Sequence, residues 1–350
     1  MILNSKFLCK AQKLFGGGNM KTKHSNISIF IPHLGCPNMC SFCNQRTISH
    51  TASAPTADEV KETLSQACGN LPQGTAEIAF FGGSFTAIER SYMTSLLEAA
   101  QPFVQSGKVS GIRISTRPDC IDSEVLALLK RYGVTAIELG AQSMDNEVLA
   151  ANDRGHTAED VEQASQLIRD NGFELGLQMM TGLYKSTPEK DLQTAEKIAE
   201  IKPDTVRIYP VVILLGTRLG ELFESGEYVP YSFDTAAEIC ADMLTLFEQK
   251  GIRVIKLGLH ASETVEEDML GGFYHPAFRE ICEGILFRRE IEKNTEHKNN
   301  YTVLVAPNAV SKAAGQKRCN IEYFAAKGVG IKIRPDGRLK NREIILKKDE

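Results

Sequence analysis

Tryptophan is absent from the 350 residues, aromatic side chains make up only 7%, and cysteine, at nine, is too sparse for a disulfide scaffold. That cysteine density, with an odd count, fits a reducing cytosol and a cytoplasmic protein. A long hydrophobic run is also missing. The first 26 residues carry Lys6, Lys10, Lys13, Lys21 and Lys23 without an apolar stretch suited to a signal-peptide core, which argues against secretion and a membrane span. Gly16, Gly17 and Gly18 are followed by no GK[ST] and preceded by no strand, so they read as a linker rather than a phosphate loop, and Met20 is a second candidate start. Charge of one sign is lacking too: 40 basic against 44 acidic residues give net −4, which excludes a wholly basic nucleic-acid protein.

What is present is an alternation. Short β-branched runs at Asn26–Ile31, Ala76–Phe81, Gly111–Ser115, Val134–Leu139, Phe173–Met179, Thr205–Tyr209 and Arg253–Leu257 are separated by segments of helical spacing. Thr56 with Glu59 forms a capping-box pattern, Thr157 starts a second helix in the same style, and Pro188 after Thr187 sits where a missing N–H costs little. Gly133, Gly172 and Gly251 mark helix ends. Crossovers of this length imply parallel pairing, hence an α/β chain with a partial or full (β/α) barrel, whose chemistry lies on the loops after the strands. The expected division is a flexible extension over 1–25, the barrel over 26–260 and a small basic α+β extension over 261–350. Residues 312–350 carry net +6, which leaves −10 on the rest.

After the first strand comes Cys36-Pro37-Asn38-Met39-Cys40-Ser41-Phe42-Cys43, a C-x3-C-x2-C spacing. Three thiolates on one loop can hold three corners of an iron–sulfur cube and leave one iron open to a ligand. Two plainer readings stand beside it: a zinc site completed by His33 or His50, and chance packing of buried cysteines. Later strand ends carry Gly82-Gly83-Ser84, Ser115-Thr116-Arg117, Gln142, Arg154 and Gln178. Taken singly, each equally suits a tight turn or a solvated surface position.

The cysteine spacing, with Phe42 before its last cysteine, resembles the signature of the radical S-adenosylmethionine (SAM) enzymes. The resemblance implies a 4Fe–4S cluster on Cys36, Cys40 and Cys43, whose open iron chelates SAM and whose electron releases a 5′-deoxyadenosyl radical. It also implies that Gly82, Gly83 and Ser84 turn toward the SAM amino group, and that Ser115, Arg117, Gln142, Arg154 and Gln178 line the rest of SAM. The order of these strand ends, with Arg154 twelve residues after Gln142, is similar to the branch holding oxygen-independent coproporphyrinogen oxidase and the catalytic subunit of Elongator. Two positions depart from that pattern, Gln178 and Ser115, where relatives carry an acid. The stretch Val206–Val212, Gly216–Leu219 and Gly226–Tyr228 is similar to the Elongator subunit, yet the cysteine spacing is the ordinary one and a chain ending at 350 leaves no room for an acetyltransferase domain.

These features imply a reducing partner of the flavodoxin or ferredoxin type. The resemblance also implies an RNA substrate; tRNA held through residues 312–340, with Lys312, Lys317, Arg318, Lys327 and Lys332 on phosphates and Tyr323 and Phe324 stacking a base, stands beside the plainer reading of a solvated basic surface. A small-molecule substrate of the porphyrinogen kind and a non-catalytic zinc or iron–sulfur protein are the other two readings. His260 and His275 are expected as loop anchors rather than proton carriers.

Overall fold

The computed structural model describes residues 25–349 apart from 33, 37–38, 45–46, 48–52, 261–262 and 297–298. The expected extension before residue 25, and His33 and His50, lie outside the described residues.

All seven expected strands form one parallel sheet: β1 (Ser25–Ile31), β2 (Ala76–Gly82), β3 (Ile112–Thr116), β4 (Val134–Gln142), β5 (Glu174–Thr181), β6 (Thr205–Pro210) and β8 (Arg253–Leu257), in that spatial order. Each strand neighbours its predecessor, which curls the sheet in one direction with helices on its outer face. Among the described residues β1 and β8 do not pair, so the barrel is partial. The helices begin where local chemistry starts them. Thr56 and Glu59 make a reciprocal capping box on α1 (Ala57–Gly69), and Thr157 pairs with Asp160 on the later helix Ala158–Asp170. Thr187 caps the helix Pro188–Ile201, with Pro188 in its first turn.

The strands bury one face against those helices through residues such as Ile27, Ile29, Ile78, Phe80, Ile112, Ile114, Ile137, Leu175, Leu177 and Ile208. Each such side chain contributes about 1.5–3 kcal/mol of hydrophobic stabilisation. The opposite face, toward the lumen, is polar. It carries Glu77, Arg113, Glu138, Glu174, Gln178 and Arg207, which the strand alternation places opposite the apolar set.

Two short strands, β7 (Val212–Leu214) and β9 (Met269–Gly272), pair antiparallel beyond the end of β6. They hold the later segment against the barrel, and Phe273, Phe278, Cys282 and Ile285 pack in its core. The helix Phe278–Lys293 then continues into a second core formed by Phe287, Ile291, Tyr301, Val303, Val305, Phe324 and Ile331. This smaller unit carries a three-stranded sheet ordered β11 (Gly330–Pro335), β10 (Asn300–Val305), β12 (Ile344–Lys348), with β10 parallel to β11 and antiparallel to β12.

Candidate cofactor site at the strand ends

The cysteine loop leaves β1 and is locked to the loop after β2. Gly83 N–H donates to Ile31 O at 2.8 Å, and Ser84 N–H donates to Leu34 O at 3.1 Å. A side chain has no room here: a Cβ on Gly82, whose φ is +114°, would sit 2.7 Å from Ile31 O, and one on Gly83 would overlap Leu34 O. The paired glycines therefore exist because two backbones touch. Cys36 Sγ lies 3.8 Å from Ser84 Oγ as a result.

The far end of the loop is tied to three distant segments. Ser41 N–H and Oγ donate to Asn152 O and Oδ1 at 3.2 and 2.7 Å, Leu219 N–H donates to Ser41 O at 2.7 Å, and Thr47 Oγ1 donates to Asp268 Oδ2 at 2.7 Å. Cys40 is buried, whereas Cys36 and Cys43 are half-buried. Among the described residues no group of three His, Cys, Asp or Glu side chains is gathered as a metal site as it stands. Cys40 Sγ instead accepts from Arg154 Nη1 at 2.9 Å, so the thiol and the guanidinium are in contact.

Arg154 also donates from Nη2 to Gly140 O at 2.6 Å, which places it beneath Gln142 at the end of β4. Gln142 has φ +64°, a conformation few non-glycine residues adopt, and it sits at a register irregularity between β4 and β5. Around this point buried polar atoms go without a partner: Arg117 Nη1, Gln142 Oε1, Arg154 Nε and His156 Nδ1. A buried unsatisfied polar atom costs about 1–3 kcal/mol, and four of them within the residues that follow β3 and β4 make a socket for a polar ligand. Arg117 is otherwise clamped by Asp119 at 2.9 and 2.8 Å.

Ser115 and Gln178 stand together deeper in the lumen. Gln178 Nε2 donates to Ser115 Oγ at 3.1 Å and to Glu138 Oε2 at 2.8 Å. The sites expected from the sequence thus fall into two groups, one at the strand ends (Cys36, Cys40, Ser84, Gln142, Arg154) and one in the lumen (Ser115, Gln178).

Three residues escaped the sequence reading. Glu138, 1% exposed, is held by Arg207 from Nε at 2.6 Å and Nη2 at 2.9 Å. His156, two residues beyond Arg154, shares its Nε2 with Ala141 O at 3.2 Å, and burial together with the nearby Arg154 charge pushes its pKa down to about 4. Its sequence signal was only its closeness to Arg154. His275 is a loop anchor as expected, with Nδ1 accepting from Ala277 N–H at 2.9 Å.

The basic extension differs from expectation in its aromatics. Phe324 is buried at 1%, and the Tyr323 ring is covered by Lys327 at 4.3 Å and Arg288 at 5.0 Å, so neither offers a free face to a base. Lys312, Lys327 and Lys332 are ion-paired with Glu283, Glu292 and Asp349. Lys317, Arg318, Arg334 and Lys347 are exposed and in no ion pair among the described residues.

The archaeal tRNA uridine(34) acetyltransferase of Methanocaldococcus jannaschii is 35% identical over 189 residues, covering 48% of this chain and 35% of that protein. Elongator complex protein 3 of Schizosaccharomyces pombe is 28% identical over 257 residues, covering 61% of this chain and 47% of that protein. The chain thus spans about a third to a half of the length of these relatives. The solved structure of Methanocaldococcus infernus Elp3 with an N-terminal deletion superposes with a TM-score of 0.53 at 24% identity, covering 69% of this chain and 61% of the other, and shares the fold. Among the described residues no helix is long and apolar enough to cross a membrane. The model of the Radical SAM superfamily matches residues 30–198 and that of the Radical SAM C-terminal domain residues 203–287, so the chain belongs to the radical SAM superfamily, enzymes whose cofactors are a 4Fe–4S cluster and SAM.

Proposed function

We propose that the chain is a radical SAM enzyme that modifies a nucleoside of tRNA, a wobble uridine in the first instance. The single observation behind the cofactor half is the contact of Arg154 with Cys40 inside a socket of unsatisfied polar atoms. The socket fits its cofactors: three thiols on one loop suit three irons of a cluster, and the unpaired donors and acceptors suit a zwitterionic, ribose-bearing ligand. When bound, the pair supplies a 5′-deoxyadenosyl radical for hydrogen abstraction or carbon–carbon bond formation.

The chain's own residues do the positioning. Cys36, Cys40 and Cys43 hold the cluster, and the Gly82–Gly83–Ser84 backbone keeps their loop in place. With SAM bound, Gln142 and Arg154 would hold it through their open Oε1 and Nε, and Arg117 and His156 would close the socket against water. Ser115 and Gln178 act one layer below, through Glu138, on the floor beneath the ligand. A flavodoxin- or ferredoxin-type protein delivers the electron.

The tRNA half is supported by the named relatives and by the exposed cations of the C-terminal unit. Within residues 312–340 these are Lys317, Arg318, Arg334 and Lys340, to which Lys347 is added. Lys317 and Arg318 both have positive φ, +52° and +65°, a strained pairing that projects two charges before the helix Cys319–Ala326. Anaerobic reconstitution, dithionite reduction and assay for 5′-deoxyadenosine test the first half, and an intact reduced cluster that yields none defeats it. Nucleoside profiling of tRNA from a deletion strain tests the second, where an unchanged profile beside an accumulated metabolite favours a small-molecule substrate.

A further inference from the structure

Among the described residues, Glu77, Arg113, Glu138, Glu174 and Arg207 of the lumen are ion-paired, and Lys256 is not. Cross-strand register runs from Gly140 to Gln178, from Gln178 to Arg207 and from Arg207 to Lys256, so these residues form one row across the lumen. Arg207 grips Glu138, and Gln178 shares that carboxylate. Lys256, on the same face of the sheet as Arg207, has no hydrogen-bond or ion-pair partner among the described residues. It is half-buried, and its register partner on β6, Arg207, is itself a cation. Burial first, then the cations Arg207 and Arg279, lower its pKa. A half-buried ammonium without an ion-pair partner of its own is a standing cost that an arriving anion removes.

The same lumen holds an aromatic surface. Phe30 and Phe81 are register partners on β1 and β2, with ring centroids 6.3 Å apart at 47°. The Arg207 guanidinium lies 5.1 Å from the Phe81 ring, which brings the row of β6 and β8 against the aromatic pair. Tyr209, one side-chain layer above Arg207 on β6, adds a hydroxyl. β1 and β8 are the two unpaired edges of the partial barrel, so aromatic rings border one side of the gap and the free lysine the other.

We propose that this row is the substrate subsite and that it takes a nucleotide, the base against Phe30 and Phe81 and a phosphate on Lys256. This rests on the tRNA reading above and adds to it the recognition of the phosphate beside the reacting nucleoside. The phosphate belongs either to RNA or to a free nucleotide.

The test is equilibrium binding to the full, anaerobically reconstituted chain of uridine 5′-monophosphate, uridine, inorganic phosphate and a short anticodon stem–loop RNA. Wild type is expected to hold the monophosphate about tenfold or more tighter than uridine, a difference of about 1.4 kcal/mol. Lys256→Met and Lys256→Gln remove that preference, Lys256→Arg keeps it, and uridine binding is unchanged in all three. Thermal unfolding midpoints matching wild type confirm folded variants. Equal binding of monophosphate and uridine by wild type, or full monophosphate affinity in both neutral variants, overturns the proposal. Tighter binding of the stem–loop, lost in the same variants, names RNA as the source, and tighter binding of the monophosphate names the free nucleotide. Loss of inorganic phosphate in the neutral variants with no gain from the base keeps the anion subsite and rejects the nucleotide. Failure of the tRNA reading shows separately, as a normal nucleoside profile in the deletion strain.

Discussion

The floor of the lumen and the rim of the strand ends are built from the same kinds of residue and treat them in opposite ways. On the floor, Arg113 is 4% exposed and donates to Glu77 at 2.7 Å, to Glu174 at 3.0 Å and to Glu138 at 3.5 Å, so one guanidinium is spent on three carboxylates. At the rim, Arg117 and Arg154 are also buried, yet each keeps a nitrogen without a partner, as does His156, while Gln142 keeps its side-chain oxygen unpaired. A self-satisfied network stabilises the fold, whereas a network with open positions gives up stability to fit a ligand.

The largest effect that sharpens this contrast is expected on the floor. Arg113→Met leaves the buried Glu77 and Glu138 facing one another without their shared cation and should lower unfolding free energy by about 3–5 kcal/mol, measured by denaturant titration. A loss below that of any rim variant would break the contrast. Next comes His156. Its pKa in the folded chain, about 4, is below the ordinary value of 6.5, so its neutral form is the one the fold accepts. Stability from this group is complete above pH 6.5 and falls as pH drops toward 4, by up to about 1.4 kcal/mol per pH unit. His156→Asn should flatten that part of the stability profile. The smallest effect on stability, and the sharpest on binding, belongs to Arg154. Arg154→Gln should shift unfolding by only about 1–2 kcal/mol while weakening SAM at least about tenfold, read by equilibrium dialysis.

Most of the barrel was legible because its signals are local. Runs such as Val134–Leu139 and caps such as Thr56 with Glu59 need only neighbouring residues to be read, and all seven expected strands lie in the parallel sheet. The pair β7 and β9 was not legible, since three- and four-residue strands carry no periodicity and find each other across more than fifty positions. The lumen network was missed for a related reason: Glu138 and Arg207 are 69 residues apart and meet only through strand order. In the C-terminal unit, composition exposed the charge but neither its pairing nor the burial of Phe324 and the cations over Tyr323.

The anchoring of the cysteine loop sets an order in time. Ser41 depends on Asn152 and Leu219, and Thr47 on Asp268, 221 residues further along the chain. As the polypeptide emerges, the cysteines come early and Asp268 late, so the contact of Thr47 with Asp268 is made only after the contacts to Gly83, Ser84 and Asn152 are available. A truncation upstream of Asp268 would therefore present the three thiols without one of the contacts that hold their loop.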